Sequence, residues 1–281
     1  MNCKALCRYL ILLAVTAMLL SGCQAGGGSP ASSQGSTTTG AATTTTTQSS
    51  TTVNTTTTTT LPPKTPATFE KASVQVQGGT LKYWLYTPAN ATADMPLIVY
   101  LHGIGGRGSN LDLVLDDAFP TLLRDGKLGE VPAYVVMPQL PAKKSWVNIK
   151  DSVRELITHA HNTYKINPNK VSLTGFSLGG RGAYEVALAE PQLFSCVVPV
   201  SGRVTTNTTN VNKLKNMPVW AFVGTADDSV DPQLSIDFIA ALEKVNTATR
   251  ITCFEGAQHL QVPPRCYTET DVLSWMIAQS R

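Results

Sequence analysis

Two kinds of apolar pattern follow one another along the chain from residue 73 onward. Residues 73–77 and 81–86 alternate apolar and polar at period two on either side of Gly78-Gly79, as two strands joined by a tight turn should. Short, nearly continuous apolar runs come next, at residues 97–101, 133–137, 171–174, 196–200, 219–223 and 251–254. Runs apolar on both faces are what a buried parallel sheet requires. Between them, the segments around 111–124, 149–164, 179–189, 232–245 and 270–279 carry apolar residues at helical spacing. A hairpin followed by repeated strand and helix units predicts an α/β fold: a mostly parallel central sheet with an N-terminal antiparallel hairpin and helices on both faces.

The N-terminal region has a different pattern. Residues 9–20 form an apolar run preceded by Lys4 and Arg8 and followed by Ser21-Gly22-Cys23. The run has the dimensions of a signal peptide and falls well short of the roughly 20 residues that cross a bilayer. Leu20-Ser21-Gly22-Cys23 resembles the bacterial lipobox, in which the Cys becomes the first mature residue and carries acyl chains, palmitate among them, on its thiol. The expectation is therefore a lipoprotein signal peptide at residues 1–22 and a lipidated Cys23, with the protein anchored in the bacterial cell envelope on the extracytoplasmic side. From residue 37 to residue 60, 16 of 24 residues are Thr. Such a stretch cannot bury enough apolar surface to offset its ordering entropy, so residues 23–68 read as a linker and residues 69–281 as the folded domain.

Composition narrows the function further. The 281 residues include 22 Lys plus Arg and 19 Asp plus Glu. All 19 acids lie at or after Glu70, and Lys4, Arg8 and Lys64 precede it, so the folded part balances 19 against 19. No broad nucleic-acid footprint fits a domain without clustered positive charge. Neither a His-Glu-x-x-His pattern nor a spaced Cys/His set is present, so no metal and no organic cofactor are expected.

Chemistry in a parallel sheet collects at the carboxyl ends of its strands. After the run ending at Thr174 the chain reads Gly175-Phe176-Ser177-Leu178-Gly179-Gly180 and then turns helical. This is G-x-S-x-G between strand and helix, the turn that holds a nucleophilic Ser above a sheet. A Ser hydroxyl needs an imidazole to take its proton, and the imidazole needs an acid to fix its tautomer. Of the four His, His159 and His161 fall within a helix and His102 in a Gly-rich turn, so His259, just after the last strand, is the candidate base. Between them, Gly224-Thr225-Ala226-Asp227-Asp228 follows a strand, and Asp227 is preferred to Asp228 as the acid. Asp231, before Pro232, reads as a helix cap.

An oxyanion formed at Ser177 would need two amide donors. Leu178, the residue after the nucleophile, offers one. The other comes from His102-Gly103-Ile104-Gly105-Gly106-Arg107-Gly108, after the 97–101 strand, with Ile104 preferred and Gly105 the close alternative. His102 is then expected to brace this loop by hydrogen bonding. Trp146 and Gly105, on the same edge, are candidate substrate contacts, and Arg181 is expected to anchor the nucleophile helix.

With these residues, the chain resembles a bacterial α/β-hydrolase over about residues 74–281. It is similar to dienelactone-hydrolase-like, feruloyl-esterase-like and polyhydroxybutyrate-depolymerase-like proteins and to the predicted-peptidase group. The motifs are Leu101-His102-Gly103, Thr174 through Gly182, Gly224-Thr225-Ala226-Asp227 with Val230, and Gly256-Ala257-Gln258-His259. The resemblance implies a serine carboxylesterase acting through an acyl-enzyme on a small or polymer-linked ester. Alternatives are a serine peptidase and a non-catalytic surface-binding module. Many such proteins carry a helical lid where this chain has only the polar segment 202–217, so a lidless, open site is expected. Cys253 and Cys266 bracket His259, and export would permit a disulfide between them.

Overall fold

The computed structural model describes residues 65–281. The expected signal peptide, Cys23 and the Thr-rich stretch up to residue 64 lie outside the described residues. Eight strands form one sheet: β1 (Thr68–Val76), β2 (Gly79–Thr87), β3 (Leu97–Leu101), β4 (Tyr134–Pro138), β5 (Val171–Phe176), β6 (Cys196–Val200), β7 (Val219–Gly224) and β8 (Thr249–Phe254). Their spatial order is β1-β2-β4-β3-β5-β6-β7-β8. The β1–β2 and β2–β4 pairs are antiparallel, and every pair from β4 to β8 is parallel. The hairpin turns at Gly78, whose φ of 109° is open to glycine alone at little cost.

The apolar runs are buried on both faces, and side chains alternate between two cores. On β3, Leu97, Val99 and Leu101 face one core, whereas Ile98 and Tyr100 face the other. Each fully buried apolar side chain here stabilises by about 1.5–3 kcal/mol. The first core is covered by helices α2 (Lys150–Tyr164), α3 (Leu178–Ala189) and α5 (Gln233–Leu242), the second by α1 (Ala118–Arg124), α6 (Val262–Thr268) and α7 (Val272–Ala278). A short helix, α4 (Thr208–Lys213), lies in the segment after β6.

Strand order reverses between β3 and β5: β4 lies on one side of β3, and everything from β5 onward lies on the other. The crevice above the carboxyl ends of such a pair is where open α/β sheets bind ligands. Leu101 pairs with Gly175 across it, so the Gly-rich loop after β3 and the turn at Ser177 leave the sheet side by side.

Candidate active site

Strand β5 ends at Phe176 and α3 starts at Leu178, so Ser177 alone makes the turn. Its φ of 56° and ψ of −113° lie outside the regions that L-residues favour, and the surroundings hold it there. Its amide donates to the Val200 carbonyl at 3.0 Å, and its carbonyl accepts from the Arg181 amide at 2.8 Å. Close backbone approach explains the flanking glycines. A Cβ on Gly179 would lie 1.7 Å from the Leu101 carbonyl oxygen, and one on Gly175 would lie 2.6 Å from the same atom.

His259 opens a single turn after β8, and its Nε2 lies 2.9 Å from Ser177 Oγ. Its Nδ1 lies 2.7 Å from Asp227 Oδ2. A carboxylate can only accept, so Nδ1 carries the proton and Nε2 is left to accept from the Ser hydroxyl. The other Asp227 oxygen accepts from the amides of Ser229 at 3.0 Å and Val230 at 2.9 Å, and the side chain is almost wholly buried. Phe176 covers the imidazole, with ring centroids 4.7 Å apart. The ends of β7 and β8 are tied together by Thr225 N–H to the Phe254 carbonyl and Ala226 N–H to the Ala257 carbonyl. Asp228 is exposed, and Asp231 accepts from the Gln233 amide at the start of α5. Asp227 is thus the acid that stands beside His259.

The loop after β3 forms a 3-10 turn, Ile104–Gly106. Its His102 is fully buried. Leu140 N–H donates to His102 Nε2 at 2.9 Å, which leaves Nδ1 protonated to donate to the Gly103 carbonyl at 2.6 Å. Burial, with Arg107 nearby, lowers the His102 pKa from 6.5 to about 4. The ring is therefore a neutral brace. Gln139, also buried, donates to the Gly106 carbonyl at 2.9 Å. Among the described residues, the amides of Ile104, Gly105 and Leu178 donate to no protein acceptor, and Ile104 and Gly105 lie on the exposed rim. Arg181 pairs with Glu185 one turn along α3, at 2.6 Å.

Two expectations need correction. Trp146 is fully buried and touches no solvent-facing site. Its Nε1 donates to the His102 carbonyl at 3.2 Å, and its ring packs on Gly182 of α3. It cannot stack on a ligand. The Cys253–Cys266 bridge is not formed either, because Cys266 is a free, fully buried thiol packed in the second core. Asp117, Gln139 and Leu140 contribute to the loop although nothing in their local sequence marks them. Among the described residues, no cluster of three or more His, Cys, Asp or Glu could hold a metal ion, and no helix is long and apolar enough to cross a membrane.

The Ser177, His259 and Asp227 geometry falls within one matched segment. Residues 124–262 match the dienelactone hydrolase family. All three side chains lie inside this matched segment, whereas the loop after β3 precedes it. NocK from Nocardia uniformis subsp. tsuyamanensis, named as an esterase, is 27% identical over 179 residues, 59% of this chain and 50% of NocK. The chain thus spans about half the length of that relative. A thermostable esterase structure superposes with a TM-score of 0.63 at 24% identity, over 76% of this chain and 63% of that one. A feruloyl esterase module from Clostridium thermocellum, complexed with sinapinate, gives 0.60 at 16% over 76% and 89%. FphF, a fluorophosphonate-binding serine hydrolase of Staphylococcus aureus, gives 0.60 at 14% over 76% and 100%. These likenesses show the α/β-hydrolase fold.

Proposed function

We propose that this protein is a membrane-tethered serine carboxylesterase that cleaves esters through an acyl-enzyme. The carrying observation is the continuous chain of hydrogen bonds from Ser177 Oγ through His259 to Asp227. Ser177 Oγ attacks the ester carbonyl carbon while its proton passes to His259 Nε2, and Asp227 stabilises the imidazolium. The carbonyl oxygen becomes an oxyanion held by the Leu178 amide, at the start of α3, and the Ile104 amide, with Gly105 next to it. The tetrahedral carbon expels the alcohol, which takes the proton from His259. Water then attacks the acyl group by the same route, giving up its proton to His259, and Ser177 leaves with that proton. The family domain and the naming of NocK as an esterase support this reading.

The substrate is a bulky or polymer-linked ester. Segment 202–217 builds only the six-residue helix α4, packed down through Val211 and Leu214. A cleft of about 570 Å³ runs beside the nucleophile helix, lined by Arg181, Arg203, Thr205, Thr206, Asn210 and Leu234 among others. That cleft is lined by none of Ser177, Asp227 and His259, so the lidless crevice at Ser177 itself is what suits an ester carried on a bulky group. Purified protein should hydrolyse p-nitrophenyl butyrate and leave matched peptide amides intact. Ser177→Ala should lose a thousandfold or more in kcat/KM, by roughly the magnitude seen on removing other catalytic serines. Equal rates in wild type and mutant would refute the assignment. Acetylated xylan, methyl ferulate and hydroxybutyrate oligomers, run side by side, would identify the ester class.

A further inference from the structure

Helix α1 starts at Ala118, and Asp117 stands at its N-cap with extended φ and ψ of −76° and 149°. An Asp there normally accepts from the amides of its own first turn, which is worth about 1 kcal/mol. Asp117 makes no such bond. Its Oδ2 instead accepts from Gly103 N–H at 2.7 Å and from the Tyr100 hydroxyl at 2.8 Å. Tyr100 is fully buried on β3 and stacks on Phe119, with centroids 4.9 Å apart. The carboxylate is therefore fixed from the core side and aimed at the loop rather than at its own helix.

The consequence lies in two successive peptide groups. The group joining His102 to Gly103 is held at both ends, its carbonyl by Trp146 Nε1 and its N–H by Asp117. The group joining Gly103 to Ile104 has its carbonyl held by His102 Nδ1 and by the Gly106 amide. Its remaining polar atom, the Ile104 N–H, donates to no protein acceptor among the described residues. The first of the two planes is thus set by side chains from elsewhere in the fold, and the second by the loop's own His102 ring and Gly106 amide. Gly103 itself packs on the Phe176 carbonyl, directly before Ser177: a Cβ there would lie 3.6 Å from that oxygen.

We propose that Asp117 is a positioning residue, which aims the Ile104 amide at the oxyanion by holding the Gly103 N–H. The assignment rests on the serine esterase reading and deepens it. One carboxylate oxygen accepts both bonds, so the role needs an acceptor and not a charge. Asn can supply that acceptor and Ala cannot. For Asp117→Ala, kcat per active site titrated with a fluorophosphonate should fall about ten- to hundredfold with KM changed less than about twofold, since the lost precision acts in the transition state. Affinity for an alkyl boronic acid, which forms a tetrahedral adduct on Ser177, should weaken in parallel. Asp117→Asn should stay within about threefold of wild type in both readouts, the rescue a geometric role requires. Tyr100→Phe keeps its ring on Phe119, guarding against a misfolded Asp117→Ala, and should lose about three- to tenfold in the same direction. Unchanged kcat and boronate affinity in Asp117→Ala, or in Tyr100→Phe should the former not fold, would overturn the proposal. So would an Asn variant as impaired as the Ala variant. A wild type that neither turns over esters nor binds the boronate would instead remove the esterase reading, and this role with it.

Discussion

The imidazoles of His259 and His102 sit close to the same crevice but differ in environment. His259 is partly exposed and bonded to a carboxylate, which suits the role of base proposed for it. His102 is sealed from water between Leu140 and Gly103, and burial keeps it neutral down to about pH 4. That depression has a consequence for acid stability. Below its ordinary value of 6.5, His102 in the unfolded chain takes up a proton, whereas in the folded protein it does so only near 4. The unfolded state therefore binds more protons within this window, and stability falls with pH. The contribution is intact above pH 6.5 and lost by about pH 4, amounting to about 3 kcal/mol at most. His102→Asn retains an N–H for the Gly103 carbonyl and has no such titration. Urea unfolding between pH 4 and 7 should show a shallower decline in the variant. Parallel pH dependences would show that His102 is not held neutral. Other titrating groups are common to both proteins and cancel in the difference.

At the scale of elements, the strands were legible because runs apolar on both faces have few other places to go. All eight strands expected from the pattern form, although β1 and β2 extend to nine residues each. Helices were less legible where a polar group is diverted. The spacing over residues 111–124 suggests one helix, but the chain makes a 3-10 turn, Leu111–Asp116, and then α1. The break falls at Asp117, whose side chain is engaged by Tyr100 and Gly103, a demand invisible in local sequence. Helix α6 escapes the pattern because Pro263 and Pro264 read as breakers, yet both fall in its first turn, where no amide donor is required. Helix α4 is too short and polar to show periodicity, with Asn207 capping the Asn210 amide. The candidate triad was legible as three motifs after three strands, whereas the role of Trp146 was not. Its neighbours suggest a surface loop, and only the tertiary fold places it between the His102 carbonyl and Gly182. A Cβ on Gly182 would come within 2.5 Å of that indole, which is buried and hydrogen-bonded and has nowhere to move. Gly182→Ala should therefore cost about 1–3 kcal/mol by overpacking. Gly105→Ala, with nothing within 4 Å of its new methyl group, should stay within about 0.5 kcal/mol of wild type. Urea denaturation of the pair measures the contrast, and a reversed order would contradict the packing described.

On the scale of the whole molecule, the proposed catalytic residues and the proposed point of attachment are far apart in sequence and should be separable by experiment. Ser177, Asp227 and His259 all lie on the carboxyl edge of a sheet whose first strand begins at Thr68, while Cys23 lies outside the described residues. The 69–281 segment balances its charges, so no electrostatic attraction to an anionic bilayer supplements a lipid. Membrane retention would then depend on acyl chains at Cys23, each buried methylene contributing about 0.8 kcal/mol. In a bacterial host fed labelled palmitate, the wild-type protein should carry label and enter the detergent phase on Triton X-114 partitioning. Cys23→Ala should carry none and appear in the aqueous phase. Turnover of a soluble aryl ester per fluorophosphonate-titrated site should be the same in both, because the substitution touches nothing in the crevice between β3 and β5. An unlabelled wild type, or a Cys23→Ala protein that stays in the detergent phase, would refute the lipid anchor. Neither result would bear on the hydrolase assignment.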